Sequence, residues 1–277
     1  MSSRKLYNIH LDQYLSQRDL EFIQSLSFDI AYQEYAFGVW ETLSIWNKEG
    51  TDGNAISKEY HGAAKKNTIG EKLTNINKLI EDNFDCSLIK SVRLLRSCKG
   101  GMILPHKDYL EFEKGFTRIH VVLDIDETCL NSENGIVYQM KAGEVWFLDG
   151  NMLHSATSVS QKGKLNLMID FEPNIPLGDL FTRGGVLDIP LHQEPVVRDL
   201  ALEDSIINAF LTLNKHSGSH QVKEIMAMLN HMCFKGKLPH TAFYDVLDSV
   251  FVHEVNEDNR QEYLAIKDVM IKSGHHE

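Results

Sequence analysis

The sequence predicts a mostly β core, built as a double-sheet sandwich or jelly roll, with helices before and after it. Residues 85 to about 173 contain short runs of β-branched and aromatic residues, separated by Gly, Asn and Asp turns. From Pro173 the pattern changes to an irregular stretch with Gly and Pro, followed by amphipathic helices. We therefore expect a β domain over residues 1–175 and a helical subdomain over residues 176–277.

The N-terminal part of the β domain is mixed in character. Residues 17–26 have a helical pattern, and residues 71–83 place Leu and Ile at helical spacing, which indicates an amphipathic helix. Residues 37–46, FGVWETLSIW, are rich in β-branched and aromatic residues and are typical of a strand. This region should therefore add flanking helices and one strand to the core.

The remaining elements follow in chain order. The predicted core strands are residues 89–97, 101–104, 117–124, 135–140, 144–148 and 164–171. A double-sheet barrel of such strands is open at one end, which suits a ligand site. The predicted C-terminal helices are residues 204–213, 221–232, 241–252 and 259–272.

Composition limits the class of protein. The chain has 277 residues, 43% of them hydrophobic and 24% charged, which is ordinary for a globular protein. Its net charge of −11 argues against a nucleic-acid partner, because phosphate binding needs a basic surface. The polar start lacks the apolar region of a secretory signal, and no stretch approaches the roughly 20 apolar residues of a membrane span. The four cysteines are scattered along the chain, and we expect them to be reduced, which favours a cytoplasmic location. The sequence does not indicate an oligomeric state.

Three residues have the pattern of a metal site. His106 and Asp108 form a His-X-Asp motif at the end of an apolar run, and His154 follows after 45 intervening residues. Two imidazoles and one carboxylate on one face of a metal leave positions open, as in non-haem Fe(II) oxygenases, for a co-substrate and O₂. An isolated His-X-Asp also occurs by chance, and His154 could be a surface-loop histidine. Strand context and spacing together favour the metal site.

Several cations lie inside otherwise apolar strands. Arg93, Arg96, Arg118 and His120 belong to this group, and Arg118 and His120 share one strand face by their spacing. A cation that points into a barrel is costly unless it meets a carboxylate, which a ligand could supply. The alternative for each arginine is a structural salt bridge with Asp or Glu, or a position on the solvent face.

Lys164 lies ten residues after His154, at the start of an apolar strand. A cation there could hold the far carboxylate of 2-oxoglutarate, although Gln-Lys-Gly-Lys is also typical of a hydrated turn. Trp40, Tyr109 and Trp146 are candidates for the pocket wall, and ordinary core packing is the alternative for Trp40.

The stretches RLLRSCKGGMILPHKDYLEFEKGFTRIHVVLDIDETC and GEVWFLDGNMLHSA carry a family resemblance. They resemble the aspartyl/asparaginyl β-hydroxylase group of 2-oxoglutarate-dependent oxygenases, and within it the bacterial proline cis-4-hydroxylases, which act on free L-proline. The resemblance implies a double-stranded β-helix, a cupin-like jelly roll, in which His106, Asp108 and His154 hold iron. It also implies Fe(II), 2-oxoglutarate and O₂ as cofactor and co-substrates, with ascorbate stimulatory.

The resemblance assigns the cations as well. The family's arginine ten residues after the distal histidine falls on Lys164, which keeps the charge but loses the bidentate fork. Arg118 and His120 match the family's Arg-X-His, where carboxylate binding is expected. Arg93 is similar in position to an arginine that contacts the amino-acid carboxylate.

The same resemblance implies the reaction. We expect hydroxylation of free L-proline at the cis-4 position, yielding hydroxyproline, succinate and CO₂, with Arg93, Arg118, Tyr109 and Trp146 as substrate contacts. Alternatives within the enzyme class are pipecolic acid, another free amino acid, or a peptidyl Asp or Asn as substrate. A cupin-like small-molecule binding protein is the alternative outside it.

Overall fold

The computed structural model describes residues 3–30, 32–53, 60–108, 116–182, 204–216, 221–252 and 256–271. The described residues of the N-terminal part form four strands and three α-helices. They are β1 (Arg4–Asn8), α1 (Gln17–Ser25), β2 (Asp29–Ile30), β3 (Ala36–Asn47), β4 (Lys65–Lys66), α2 (Thr68–Lys72) and α3 (Thr74–Asn83). Helix α1 begins with a capping box, in which Ser16 and Asp19 bond each other's backbone N–H groups.

The rest of the described chain supplies the core strands and then four helices. The strands are β5 (Ile89–His106), β6 (Thr117–Ile125), β7 (Cys129–Glu133), β8 (Ile136–Tyr138), β9 (Glu144–Leu148), β10 (His154–Ser158) and β11 (Lys164–Phe171). The helices are α4 (Asp204–His216), α5 (Val222–Phe234), α6 (Phe243–Phe251) and α7 (Glu257–Ile271).

The strands are antiparallel and follow the order β1-β9-β6-β11-β5-β10-β7-β8, with β3 also paired to β5. The long strand β5 joins two parts of the sheet, because residues 89–97 pair with β11 and residues 101–106 pair with β10. Between the two segments, Lys99 and Gly100 both have positive φ, and the register of β5 with β3 shifts there. This arrangement confirms the predicted β core with jelly-roll, cupin-like character and flanking helices.

Side-chain alternation gives the sheet two different faces. On β11, Leu165, Leu167 and Ile169 enter the main apolar core, which also contains residues of α1 and α3. Lys164 and Asn166 point to the other side and line a cavity. Because side chains alternate with period two, a strand can be apolar toward the helices and polar toward a ligand space.

The C-terminal helices cover another part of the sheet. One cluster of buried residues contains Leu95 and Ile103 of β5 together with Ile225, Leu229 and Phe243 of the helices. The helices therefore share a hydrophobic core with the strands that carry the candidate metal ligands. The division at residues 175 and 176 stays a prediction. No described helix has the length and apolar character of a membrane span.

Several elements differ from the sequence prediction. Strands β1, β7 and β10 were not predicted, and the expected strand 135–140 is the shorter β8. Strands β7 (CLNSE) and β10 (HSATS) are poor in large apolar residues, yet they pair with each other and are mostly buried. The expected helix 71–83 starts earlier and is interrupted at Leu73, whose φ of −87° and ψ of 59° are not helical.

Candidate functional site

Two strand ends bring His106, Asp108 and His154 together. His106 is the last residue of β5, His154 is the first residue of β10, and the two pair in register. Asp108 lies two residues beyond β5, with its Oδ1 3.2 Å from His106 Nε2 and 3.6 Å from His154 Nε2. One ligand atom from each residue thus lies within 4.8 Å of the other two.

Backbone carbonyls fix both imidazole rings. His106 Nδ1 lies 2.7 Å from the carbonyl oxygen of Leu104, and His154 Nδ1 lies 2.9 Å from that of Met152. An Nδ1–H that donates to a carbonyl leaves the Nε2 lone pair available for a metal. The Nε2–Oδ1 separations allow one ion to contact these atoms at the roughly 2.0–2.2 Å of protein metal bonds. The donor set therefore fits Fe(II).

Charge and burial set the protonation of two of these groups. Burial alone would raise the pKa of Asp108, but the Arg118 guanidinium and the two histidines outweigh it and hold that pKa well below its usual range. Burial lowers the pKa of His154 to about 4, despite the opposing effect of Asp108. At neutral pH the site therefore offers an ionised carboxylate and a neutral imidazole, the forms that bind metals.

The loop before β10 also touches Asp108. The N–H of Asp108 donates to the carbonyl of Gly150 at 2.8 Å. A Cβ on Gly150 would lie 2.7 Å from the Asp108 Cβ and 3.2 Å from its Oδ2. Only a residue without a side chain fits this close approach.

A buried carboxylate holds two of the predicted arginines. Asp170 Oδ1 accepts from Arg118 Nε at 2.7 Å, and Asp170 Oδ2 accepts from Arg93 Nη2 at 2.7 Å and from Ser91 Oγ at 2.9 Å. Both arginines therefore have the structural ion pair that the sequence left open as an alternative. Arg118 also lines the cavity, whereas Arg93 is not among the described residues that line it. Arg93 Nη1 instead donates to the hydroxyl of Tyr32, a lining residue, at 3.0 Å.

Arg96 lies away from the cavity. Its Nε and Nη2 donate to Glu41 Oε2 at 2.9 and 2.6 Å, and its guanidinium covers the ring of Phe28. For Arg96, too, the structure has a structural salt bridge, which the sequence analysis gave as the alternative to a ligand contact.

A cavity that opens to solvent lies beside the three candidate ligands. Its described lining residues combine aromatic and apolar walls with a few polar groups. They are Tyr32, Trp40, Leu95, Ile103, His106, Asp108, Arg118, His120, Asn131, Tyr138, Leu148, His154, Ser155, Ala156, Lys164, Asn166 and Met168.

Lys164 is a buried cation in this cavity. Its Nζ lies 3.4 Å from Asn131 Oδ1 and 5.0 Å from the centre of the Trp40 ring, and it has no ion pair with a carboxylate of the described residues. Burial lowers the pKa of Lys164 to about 8. A buried ammonium without a counter-ion is costly, and an anionic ligand would remove that cost.

His120 adds a hydrogen-bond donor. Its Nδ1 lies 3.2 Å from Asn166 Nδ2, which donates to it, so the ring proton belongs on Nε2. Burial, then Arg118 and Lys164, lower the pKa of His120 to about 3, so the ring is neutral. Neither His120 Nε2 nor Asn131 Nδ2 has a hydrogen-bond partner in the described part of the chain. With Lys164 they give the cavity three donors that an incoming carboxylate could satisfy.

The remaining predicted wall residues have different positions. Trp146 does not appear among the described lining residues; it stacks on Tyr138 with ring centres 5.1 Å apart and donates to Glu144 at 2.9 Å. It therefore supports the wall that Tyr138 forms. Trp40 lines the cavity, and Tyr109 lies outside the described residues.

Sequence reasoning missed several residues of the site. Asn166 and Asp170 lie on β11 at even spacing from Lys164, and this alternation was a usable signal for a polar face. Tyr32, Asn131 and Tyr138 had no comparable signal, because a turn and two short strands carry them.

Comparisons with known proteins identify a family and several similar proteins. The sequence model of the family described as aspartyl/asparaginyl beta-hydroxylase matches residues 11–173. The chain is 31% identical over 255 residues to the L-proline cis-4-hydroxylase of Rhizobium meliloti (strain 1021), covering 90% of this chain and 89% of that protein. It is 27% identical over 175 residues to the L-proline cis-3-hydroxylase 1 of a Streptomyces species, covering 61% of this chain and 60% of that one.

Among solved structures, an oxidoreductase of the 2OG-Fe(II) oxygenase family from Burkholderia pseudomallei is similar at a TM-score of 0.40 and 11% identity. The similarity covers 61% of this chain and 84% of that one.

Proposed function

The chain belongs to the aspartyl/asparaginyl β-hydroxylase family, as the sequence resemblance predicted, and on that premise we propose that it hydroxylates free L-proline. The reaction uses Fe(II), 2-oxoglutarate and O₂, and it yields hydroxyproline, succinate and CO₂. The observation that carries the proposal is the convergence of His106, Asp108 and His154 beside a cavity whose Lys164 has no carboxylate partner among the described residues. We place the enzyme in the cytoplasm, with a free amino acid as substrate.

His106, Asp108 and His154 would hold the Fe(II). When bound, the metal and its co-substrate supply the activation of O₂ that oxidation of an unactivated C–H bond requires. The protein holds the ligands on two paired strand ends and keeps Asp108 ionised through Arg118. Orientation of the bound substrate then decides which carbon reacts.

Lys164 would pair with the C5 carboxylate of 2-oxoglutarate. The buried Nζ lacks a described carboxylate partner, and His120 Nε2 and Asn131 Nδ2 are further donors in the same cavity. The family has an arginine here, which can bind a carboxylate through two parallel hydrogen bonds, whereas lysine offers only a point charge. The two neighbouring donors would therefore orient the carboxylate in place of the second hydrogen bond. Arg118, also on the cavity wall, is the second candidate for a carboxylate contact.

The amino-acid carboxylate would meet Arg118 and the Tyr32 hydroxyl. Arg118 lines the cavity directly, and Arg93 would act through Tyr32, to which it donates at 3.0 Å. Trp40 and Tyr138 would enclose the apolar part of the proline ring. Trp146 would act by supporting Tyr138, and a contact from Tyr109 stays a prediction.

The relatives differ in the ring position that their names specify. We favour cis-4 hydroxylation because the relative with that name is 31% identical over 90% of this chain, against 27% over 61% for the cis-3-hydroxylase compared above. The position hydroxylated on the proline ring is therefore the most specific part of the proposal, and analysis of the product identifies it directly.

The test is incubation of the protein with L-proline, Fe(II), 2-oxoglutarate and ascorbate, followed by mass and NMR analysis of the products. We expect cis-4-hydroxyproline in equal amount to succinate, and neither product from a His154→Ala variant that still folds. A cis-3 product would correct the ring position alone. The proposal that proline is the substrate would be wrong if pipecolic acid, or a peptidyl Asp or Asn, stimulated succinate formation and proline did not. A parent protein that produces no succinate with any of these would favour a binding protein.

A further inference from the structure

The C-terminal helices bond the backbone on both sides of His106. The hydroxyl of Tyr244, on α6, donates to the carbonyl of Pro105 at 2.5 Å. The N–H of Lys107 donates to the carbonyl of Met270, on α7, at 3.0 Å. The peptide groups before and after this ligand are therefore held by two different helices.

A third helix bonds the strand that carries the other histidine. Asn230, on α5, is fully buried, and its Nδ2 donates to Ser155 Oγ at 3.1 Å. Ser155 follows His154 directly, and its hydroxyl donates to the carbonyl of Ile103 at 2.7 Å. Asn230 thus bonds a group that links β10 to β5 three residues before His106.

These contacts lie at the ends of the two strands that carry the histidines. Strand β5 ends at His106 and β10 begins at His154, and the pairing between them is irregular between His154 and Ala156. Metal ligands must be held within about 0.5 Å of their working positions, which strand ends without further contacts do not ensure.

We propose that α5, α6 and α7 position the two histidine ligands, with Asn230 and Tyr244 as positioning residues of the metal site. The C-terminal region would then be part of the active centre. This inference rests on the proposed function, because it assumes that the triad binds a metal. It differs from a purely stabilising role of the helices in one respect: loss of either contact changes metal affinity beyond what lost stability explains.

The helices offer matched controls for both residues. Asn214 is also buried, and its Nδ2 donates to the carbonyl of Val250 at 2.8 Å, within the helical region. Tyr263 is fully buried, and its hydroxyl donates to Asp248 Oδ1 at 2.6 Å, again within the helices. Asn214→Ala and Tyr263→Phe therefore remove comparable groups that have no described bond to β5 or β10.

The experiment titrates the metal-free, full-length protein with Co(II), an ion close to Fe(II) in ligand preference, and follows its visible absorption. Thermal unfolding of each variant is measured in parallel. We expect Asn230→Ala to weaken Co(II) binding by about tenfold, the usual effect of removing a group that orients a ligand. Tyr244→Phe should weaken it less, and both controls should bind Co(II) as the parent does, even where their unfolding temperatures fall.

Parent-like Co(II) affinity in Asn230→Ala and Tyr244→Phe would overturn the inference, as would losses in all four variants that follow the loss of stability. If Asn230→Ala does not fold, Tyr244→Phe decides the question, because it removes a single oxygen atom. A parent protein that binds Co(II) no better than His154→Ala would instead refute the metal site, and with it the proposed function.

Discussion

Arg118 donates from Nη1 to Oδ2 of Asp108 at 2.6 Å and so leaves Oδ1 as the oxygen that faces His106 and His154. Its Nε and Nη2 bond Asp170, so the guanidinium is itself fixed in the cavity wall. One arginine thereby orients the carboxylate ligand and keeps it ionised. A residue predicted from the sequence as a ligand contact also has a structural role next to the metal site.

Replacement of Arg118 by Met should weaken both the fold and the metal site. Asp108 and Asp170 would each lose a buried charge partner, and loss of one partner of a buried pair typically costs about 3–5 kcal/mol in the free energy of unfolding. Urea unfolding measures this change, and Co(II) titration measures the expected loss of metal affinity.

Arg96→Ala is the control, because Arg96 pairs with Glu41 away from the cavity. That variant should keep the parent's metal affinity. Full Co(II) affinity in a folded Arg118→Met protein would show that Asp108 does not need this contact.

Lys164→Ala should raise the apparent KM for 2-oxoglutarate. The variant leaves a ligand carboxylate without its cation in a confined site, and truncation of one side of such a pair costs about 2–5 kcal/mol. We expect a rise of at least about tenfold in steady-state assays. Lys164→Arg should stay near the parent because it keeps the charge. A parent-like KM in the Ala variant would move the anchor to Arg118.

The pH dependence of 2-oxoglutarate binding should also report on Lys164. Its pKa is lowered to about 8 by burial, an effect that the nearby Cys129 opposes, while Trp40 and Asn131 contact the amine without a charge. The charged form therefore predominates below about pH 8 and is lost above it, so affinity for the dianion should fall as pH rises toward about pH 9. His120 faces the same cavity but is already neutral throughout this range.

The comparison is the apparent KM of the parent and of Lys164→Arg across that interval. The arginine variant should lack the rise, because a guanidinium stays charged. The same rise in both proteins would assign the pH dependence to another group.

The sequence predicted the fold class because the signals for it are local. Most helices have a clear hydrophobic period, as do the strands 117–124, 144–148 and 164–171. Their observed bounds differ from the predicted ones by only a few residues. The signal for His106 and Asp108 is also local, since His106 ends an apolar strand and Asp108 lies two residues beyond it. Strands β7 and β10 lack such a signal, because their polar residues are buried by pairing with strands distant in the chain.

The residues that pair with the buried cations could not be predicted from the sequence for the same reason. Asp170 lies beside Arg118 in the register of β11 and β6, 52 residues away along the chain. Asn131 reaches Lys164 from β7, a strand that the sequence did not predict. Of the cations that spacing singled out, Arg118, His120 and Lys164 line the cavity, whereas Arg96 pairs with Glu41 away from it. The partners of these cations depend on strand order and register.

Gly150→Ala should disturb the metal site without loss of the fold. Gly150 accepts the Asp108 N–H at 2.8 Å, and a new Cβ would lie 2.7 Å from the Asp108 Cβ, closer than side-chain contacts allow. The carboxylate must therefore shift, and a misplaced ligand typically costs about tenfold or more in metal affinity. Asn151→Ala is the control, because Asn151 is exposed and its side chain bonds only Asp149 among the described residues. Co(II) titration should separate the two variants, with thermal unfolding similar in both. If Gly150→Ala binds Co(II) as tightly as Asn151→Ala, the segment that carries Asp108 can move without cost, and the close contact with Gly150 does not position the ligand.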